Sequence, residues 1–238
     1  DACPDKGLLA NGNASECGLQ LAQPEVTRWQ NQFDDLIFAT AQDVRMPAFL
    51  LKNMFSRESQ FWPSQFVGER GVGLGQLTEK GADTTLLWNP TFYNAFCPLV
   101  LGQSRCDLPY SLLKSSEQRM LQGALVTRVD ATCPTCPLGI DLQEARDSVA
   151  IFGEALRAHC VQTGQLVRNV YGQPPGELTS YEDMWRFTLV SYNAGIGCLS
   201  ESVNSVRLQG LALDWFNVSN NLVGVCRNAI TYANDMTR

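Results

Sequence analysis

Along most of the chain, apolar residues recur at spacings of three and four, the period of a helix packed by one face. "PEVTRWQNQFDDLIFATAQDV" carries Val26, Trp29, Phe33, Ile37 and Phe38 in that rhythm and predicts one amphipathic helix. "MPAFLLKNMFSRESQF" predicts a second. Pro47 sits near its first turn, where a missing N–H is harmless, and Pro63 is its stop. The glycine-rich "GERGVGLG" reads as a loop, and "QLTEKGADTTLLW" as a short helix beyond it. "DLQEARDSVAIFGEALRAHCVQTGQLV" predicts a long helix capped by Asp141, with Glu144 placed for a capping box. "YEDMWRFTLVSYNAG" predicts a helix ended by glycine, and a last amphipathic helix takes in Leu222, Val225, Cys226, Ile230 and Ala233. Alternation of period two, the strand signature, is hard to find. The pattern predicts a mainly α protein.

Between Asn89 and Gly139 the texture changes. Pro90, Pro98, Pro109, Pro134 and Pro137 crowd this stretch with Cys97, Cys106, Cys133 and Cys136, around one helical island, "SLLKSSEQRMLQGALVTRV". It reads as a disulfide-stapled insertion, at about 89–139, in a single domain spanning 1–238. A chain of 238 residues can bury a sizeable core, and 45% apolar with 18% charged residues is an ordinary globular composition. No window reaches the roughly 18 uninterrupted apolar residues of a membrane span, so a soluble chain is expected.

Nine cysteines accompany a single histidine and are spread along the chain. Zinc sites want tighter Cys/His clusters, so no metal site is expected and disulfides in an oxidising compartment are. A start at Asp1 rather than Met fits a removed signal peptide, or a trimmed chain, and points to a secreted or cell-envelope protein, periplasmic or extracellular. Eight of the nine allow about 105 pairings, so spacing leaves the connectivity open. The odd cysteine is left free or bonded between chains, and it or the 89–139 stretch offers a place for a protein partner. "CPTC" at 133–136 lacks a surrounding βαβ pattern and is expected to be a structural disulfide. A net charge of −6 and a short longest basic run argue against a nucleic-acid partner, which needs a clustered cationic face. His159, alone on its helix, is expected to be a plain surface or packed histidine.

Candidate chemistry centres on "MFSRESQFWP", where Glu58 lies among Met54, Phe55, Phe61 and Trp62. A carboxyl beside apolar surface holds its proton to higher pH, which suits a general acid; the alternative is a glutamate on the solvated side of its helix. Arg57 opposes such a shift only if it turns the same way, and consecutive helix positions diverge by about 100°. Trp29, Trp88, Trp185 and Trp215 have rings able to stack on sugars, although core packing is the commoner fate of such residues.

Three segments then follow in order: "RESQF" at 57–61, "GVGLGQLT" at 71–78 and "LVSYNAGIG" at 189–197. With them the chain resembles the lysozyme-like superfamily, and within it the soluble lytic transglycosylase (SLT) domain related to goose-type lysozymes. That family's pattern is a helix-borne Glu-Ser, a Gly-x-x-Gly-Leu-x-Gln turn and a later Ala-Tyr-Asn-Ala-Gly. The resemblance covers roughly Pro47 to Gly197, interrupted by the cysteine-rich stretch. It implies a lysozyme-like helical domain that needs no cofactor and acts on peptidoglycan glycan strands. The implied reaction cleaves the β-1,4 MurNAc–GlcNAc bond with Glu58 as sole acid/base and leaves 1,6-anhydro-MurNAc ends. Ser59, Gln76, Tyr192 and Asn193 are the substrate-binding residues it implies. A lysozyme-type hydrolase of the same bond would need a second carboxylate, for which Glu69, Glu79 and Asp83 are the nearby candidates. A catalytically silent glycan-binding or scaffold component of a cell-surface assembly is the third reading. The chain departs from the pattern at Gly75, where a Met or other bulky residue is usual, at Val72 for a small residue, and at Ser191 for Ala.

Overall fold

The computed structural model describes residues 2–64 and 71–237, and its regular structure is helical throughout. In chain order come α1 (Glu16–Asn31), α2 (Asp34–Val44), α3 (Ala48–Ser59), α4 (Glu79–Trp88), α5 (Pro90–Phe96) and α6 (Gln103–Cys106). They are followed by α7 (Ser115–Arg128), α8 (Leu142–Tyr171), α9 (Tyr181–Ala194), α10 (Ile196–Leu208), α11 (Trp215–Asn220) and α12 (Asn228–Met236). Among the described residues, β pairing is confined to isolated bridges such as Val72 with Leu77.

Helix α8 sets the frame. Asp141 caps it by accepting from the N–H groups of Gln143 and Glu144, and Gly172 closes it in the left-handed conformation (φ 74°). Its 30 residues span about 45 Å. Val149, Phe152 and Leu156 enter one apolar cluster with Leu50, Met54 and Phe55 of α3 and Leu86 of α4. Val167 and Val170 enter a second with Phe187 and Val190 of α9 and Leu199, Val203 and Val206 of α10. Small residues let neighbours approach: a Cβ on Gly153 would stand 2.3 Å from Thr40 Cγ2 of α2.

Several elements differ from the pattern-based expectation. The single helix expected from Pro24 is two: α1 starts at Glu16, encloses Pro24 and has no buried residue. The chain breaks at Gln32–Phe33, and α2 turns a different face inward, so Val26 and Phe38 are exposed while Phe33 and Ile37 are buried. Helix α3 ends before Pro63, because Gln60 and Phe61 both adopt the left-handed conformation (φ 51° and 62°). Such a conformation is unfavourable for non-glycine residues. Here the Phe61 N–H bonds Phe55 O at 3.0 Å, the buried Phe61 ring joins the first cluster, and Trp29 Nε1 donates to Gln60 O at 3.2 Å. The expected last helix also shortens: Leu222 and Val225 precede α12, and Val225 is exposed.

The 89–139 stretch holds three helices, α5, α6 and α7, rather than one island. It is fastened to α4 by Asp83, which accepts from Tyr110 Oη at 2.6 Å and Gln122 Nε2 at 2.8 Å. Four disulfides join Cys3–Cys17, Cys97–Cys106, Cys133–Cys136 and Cys198–Cys226, the pairing that an oxidising compartment allows. Cys160 is the free thiol. It is half-buried on α8 against the first cluster, and burial raises its pKa despite the Thr188 hydrogen bond. Among the described residues no helix is long and apolar enough to cross a membrane.

Candidate active site

Local sequence brings three walls together. The end of α3 supplies Glu58, the glycine turn at 71–78 supplies Gln76, and the start of α4 adds Lys80 and Thr84. Across from them, α8 and the end of α9 contribute His159 and the Ser191–Gly195 run. They enclose a cleft of about 1150 Å³.

The glycine turn owes its shape to close contacts. Val72 and Leu77 exchange backbone hydrogen bonds at 3.0 and 2.8 Å, Gly73 has φ 76°, and Gln76 is left-handed at φ 53°. A side chain on Gly73 would meet Val129 O at 2.4 Å. At Gly75 a Cβ would stand 2.5 Å from Phe152 Cδ1 and 3.0 Å from Met54 Cε, so these two side chains leave no room for any residue but glycine there. Gly75 O in turn accepts a 2.6 Å hydrogen bond from Tyr192 Oη.

Glu58 occupies the last turn of α3 and lines the cleft. Burial raises its pKa above the usual carboxylate range, against the opposing Tyr232 hydrogen bond and the positive charge of Arg57. The negative end of the α3 dipole disfavours an anion there as well. Tyr232 Oη donates to Glu58 Oε1 at 2.5 Å. Two phenols, the half-buried Tyr192 on α9 and the buried Tyr232 on α12, have pKa values pushed well up, first by desolvation and then by the carboxylate's charge. A protonated Glu58 can therefore deliver its proton to a group in the cleft, with Tyr232 holding the carboxyl in place.

The expected site residues divide. Glu58, Gln76, Tyr192 and Asn193 all face the one cleft. Gln76 Nε2 donates to Gly73 O at 2.9 Å within its own turn, which leaves Oε1 as the acceptor for a ligand. Asn193 is exposed at the rim. Ser59, expected to bind substrate, lies elsewhere: it is 1% exposed, and its hydroxyl bonds Leu74 O at 2.7 Å and Phe55 O at 3.1 Å. It fastens the turn to α3 because it points about 100° away from Glu58. Of the proposed second carboxylates, Glu69 lies outside the described residues, Glu79 is exposed and is not among the residues lining the cleft, and Asp83 is held by Tyr110 and Gln122. Among the described residues, Glu58 is the only carboxylate lining the cleft. Trp29, Trp88, Trp185 and Trp215 do not line it; Trp29 packs on Trp62, with ring centroids 5.8 Å apart.

Sequence reasoning missed Tyr232 and Gln162 and left His159 without a role. Tyr232 shares the inward stripe of α12 with Ala229, Ala233 and Met236. A buried tyrosine hydroxyl needs a partner, and that was the available signal. His159 is packed, as one of its two expectations had it, but it also lines the cleft. No family model, curated protein or solved structure matches the chain.

Proposed function

We propose that this chain is a lytic transglycosylase of lysozyme-like fold that cleaves the β-1,4 MurNAc–GlcNAc bond of peptidoglycan. The observation that carries the reading is Glu58: a carboxyl whose burial favours its protonated form, hydrogen-bonded by Tyr232, in a cleft shared with Gln76 and Tyr192. Glycoside cleavage needs such an acid at the leaving-group oxygen. Glu58 gives its proton to the bridging oxygen, the C1–O bond breaks, and the neighbouring N-acetyl group stabilises the positive charge that develops at C1. The Glu58 carboxylate then takes the proton of the sugar's 6-hydroxyl as that oxygen bonds C1, which closes the 1,6-anhydro ring and restores the acid. No water is consumed. The chain's own residues supply the rest: Gln76 Oε1 and Asn193 offer polar contacts to the sugar, and Tyr192 closes the back wall. The disulfides suit work outside the reducing cytoplasm, as a secreted or cell-envelope protein.

The test is digestion of purified sacculi by the wild-type chain beside Glu58→Gln, with the products weighed by mass spectrometry. Wild type is expected to release anhydro-ended fragments, each one water lighter than its reducing-end counterpart. The variant is expected to retain the fold and to lose at least about a thousandfold in turnover, since proton transfer at a poor leaving group is removed. Reducing ends would instead favour hydrolysis, and glycan binding with no product would favour a silent scaffold. Full cleavage by Glu58→Gln would overturn the assignment of the acid.

A further inference from the structure

Behind Tyr192, the cleft wall contains a polar group with no part in the reaction above. His159 and Gln162 stand one turn apart on α8 and face Ser191 of α9. His159 is 6% exposed, and its Nδ1 lies 3.1 Å from Ser191 Oγ. Ser191 Oγ also donates to Gln162 Oε1 at 3.2 Å. A serine has one hydroxyl proton. Given to Gln162, it leaves Ser191 as the acceptor for His159, so the imidazole carries its proton on Nδ1 and a lone pair on Nε2. Burial lowers the His159 pKa to about 4, so the ring is neutral at ordinary pH. Its ring packs edge-on to Tyr192 with centroids 5.1 Å apart, which fixes its plane.

Two atoms of this group remain for a ligand. Among the described residues nothing bonds His159 Nε2 or Gln162 Nε2, neither is a buried unsatisfied atom, and both residues line the cleft. One is an acceptor and the other a donor. A serine–histidine nucleophile is excluded, because Ser191 is 1% exposed and its proton is turned to Gln162. We propose that His159 and Gln162, braced by Ser191, form an acetamide-reading subsite that selects N-acetylated amino sugars beside Glu58. The inference rests on the glycan reading above and names what in the ligand this wall recognises. A secondary amide offers one N–H and one carbonyl oxygen: the N–H is matched by His159 Nε2 and the carbonyl by the Gln162 amide. A de-N-acetylated sugar offers an ammonium, three donors and no acceptor, and leaves the Gln162 donor facing a cation. A site built around a particular polar group rejects ligands that lack it.

The test is calorimetric titration of the full chain, in a Glu58→Gln background that prevents turnover, with a tetramer of N-acetylglucosamine and with its fully de-N-acetylated counterpart. The background chain should bind the acetylated oligomer at least about tenfold more tightly, a difference one hydrogen bond supplies. Gln162→Glu keeps an oxygen to accept from Ser191 but replaces the donor by a carboxylate, so the preference should fall by at least about tenfold or reverse. Gln162→Met should lose the discrimination without reversing it. Gln162 is only half-buried, so both variants should fold, and circular dichroism checks that they do. Binding without discrimination, or a ratio unchanged by Gln162→Glu, overturns the subsite while leaving the glycan reading intact. No binding of either oligomer overturns both.

Discussion

At the scale of single residues, Glu58 is governed by opposed influences whose balance gives its chemistry. Burial wins, so the carboxyl holds its proton to higher pH than an exposed glutamate. Tyr232 works the other way: a hydrogen bond donated to a carboxylate favours the anion, so this phenol restrains the shift that burial alone would produce. The balance suits a group that must first give a proton and then take one, since a carboxyl driven too far toward its acid form would be slow to leave it. It follows that Tyr232→Phe should raise the Glu58 pKa further. The general acid is lost as pH rises through its pKa, so the alkaline limb of the pH–activity profile on sacculi should move to higher pH. A limb that stayed in place, or moved to lower pH, would show that the hydrogen bond does not tune the acid. Phenylalanine keeps the ring that packs in the first cluster, so the fold should be retained.

At the scale of elements, the glycine turn is fitted to α8 with no room to spare. Gly75→Ala should force Phe152 or the turn to move and destabilise the chain by about 1–3 kcal/mol, as overpacking does, measurable by urea denaturation. Turnover should fall too, because Gly75 O anchors Tyr192. A stability within about 0.5 kcal/mol of wild type would show that the contact yields easily. The sequence announces elements where local chemistry fixes them: Asp141 caps α8, and Gly195 closes α9. It conceals those set by distant contacts. Phe33 continues the helical period yet sits at a break, because the core it enters is made by other helices. Glu58, Gln76 and Tyr192 are legible as candidates because short motifs carry them, whereas Tyr232 meets Glu58 from 174 residues away. His159 and Gln162 acquire a role only once α8 and α9 bring Ser191 between them. Ser59 is the reverse case, adjacent to the acid in sequence and directed into the core by helix geometry.

At the scale of the molecule, the two apolar clusters share α8, but the acid and its phenol arrive from opposite ends of the chain, α3 and α12. What holds α12 in place therefore bears on the site. Asn53 Nδ2 donates to Met236 O at 2.9 Å, and Cys198–Cys226 ties the first turn of α10 to the turn just before α12. That bond closes 28 residues, against 3 for Cys133–Cys136, and the larger loop restricts the unfolded chain more. Loop closure puts the two at roughly 3–4 and roughly 2 kcal/mol. Replacing both Cys198 and Cys226 by serine should therefore lower stability more than the same change at Cys133 and Cys136. It should also speed amide hydrogen exchange in α10–α12 ahead of α2 and α3, because the loosened end frays before the rest opens. Turnover should drop with it as Tyr232 loses its hold on Glu58. Equal losses of stability in the two double variants, or exchange that quickens evenly over all the helices, would mean that the C-terminal end is held by packing alone and that the disulfide leaves the site untouched.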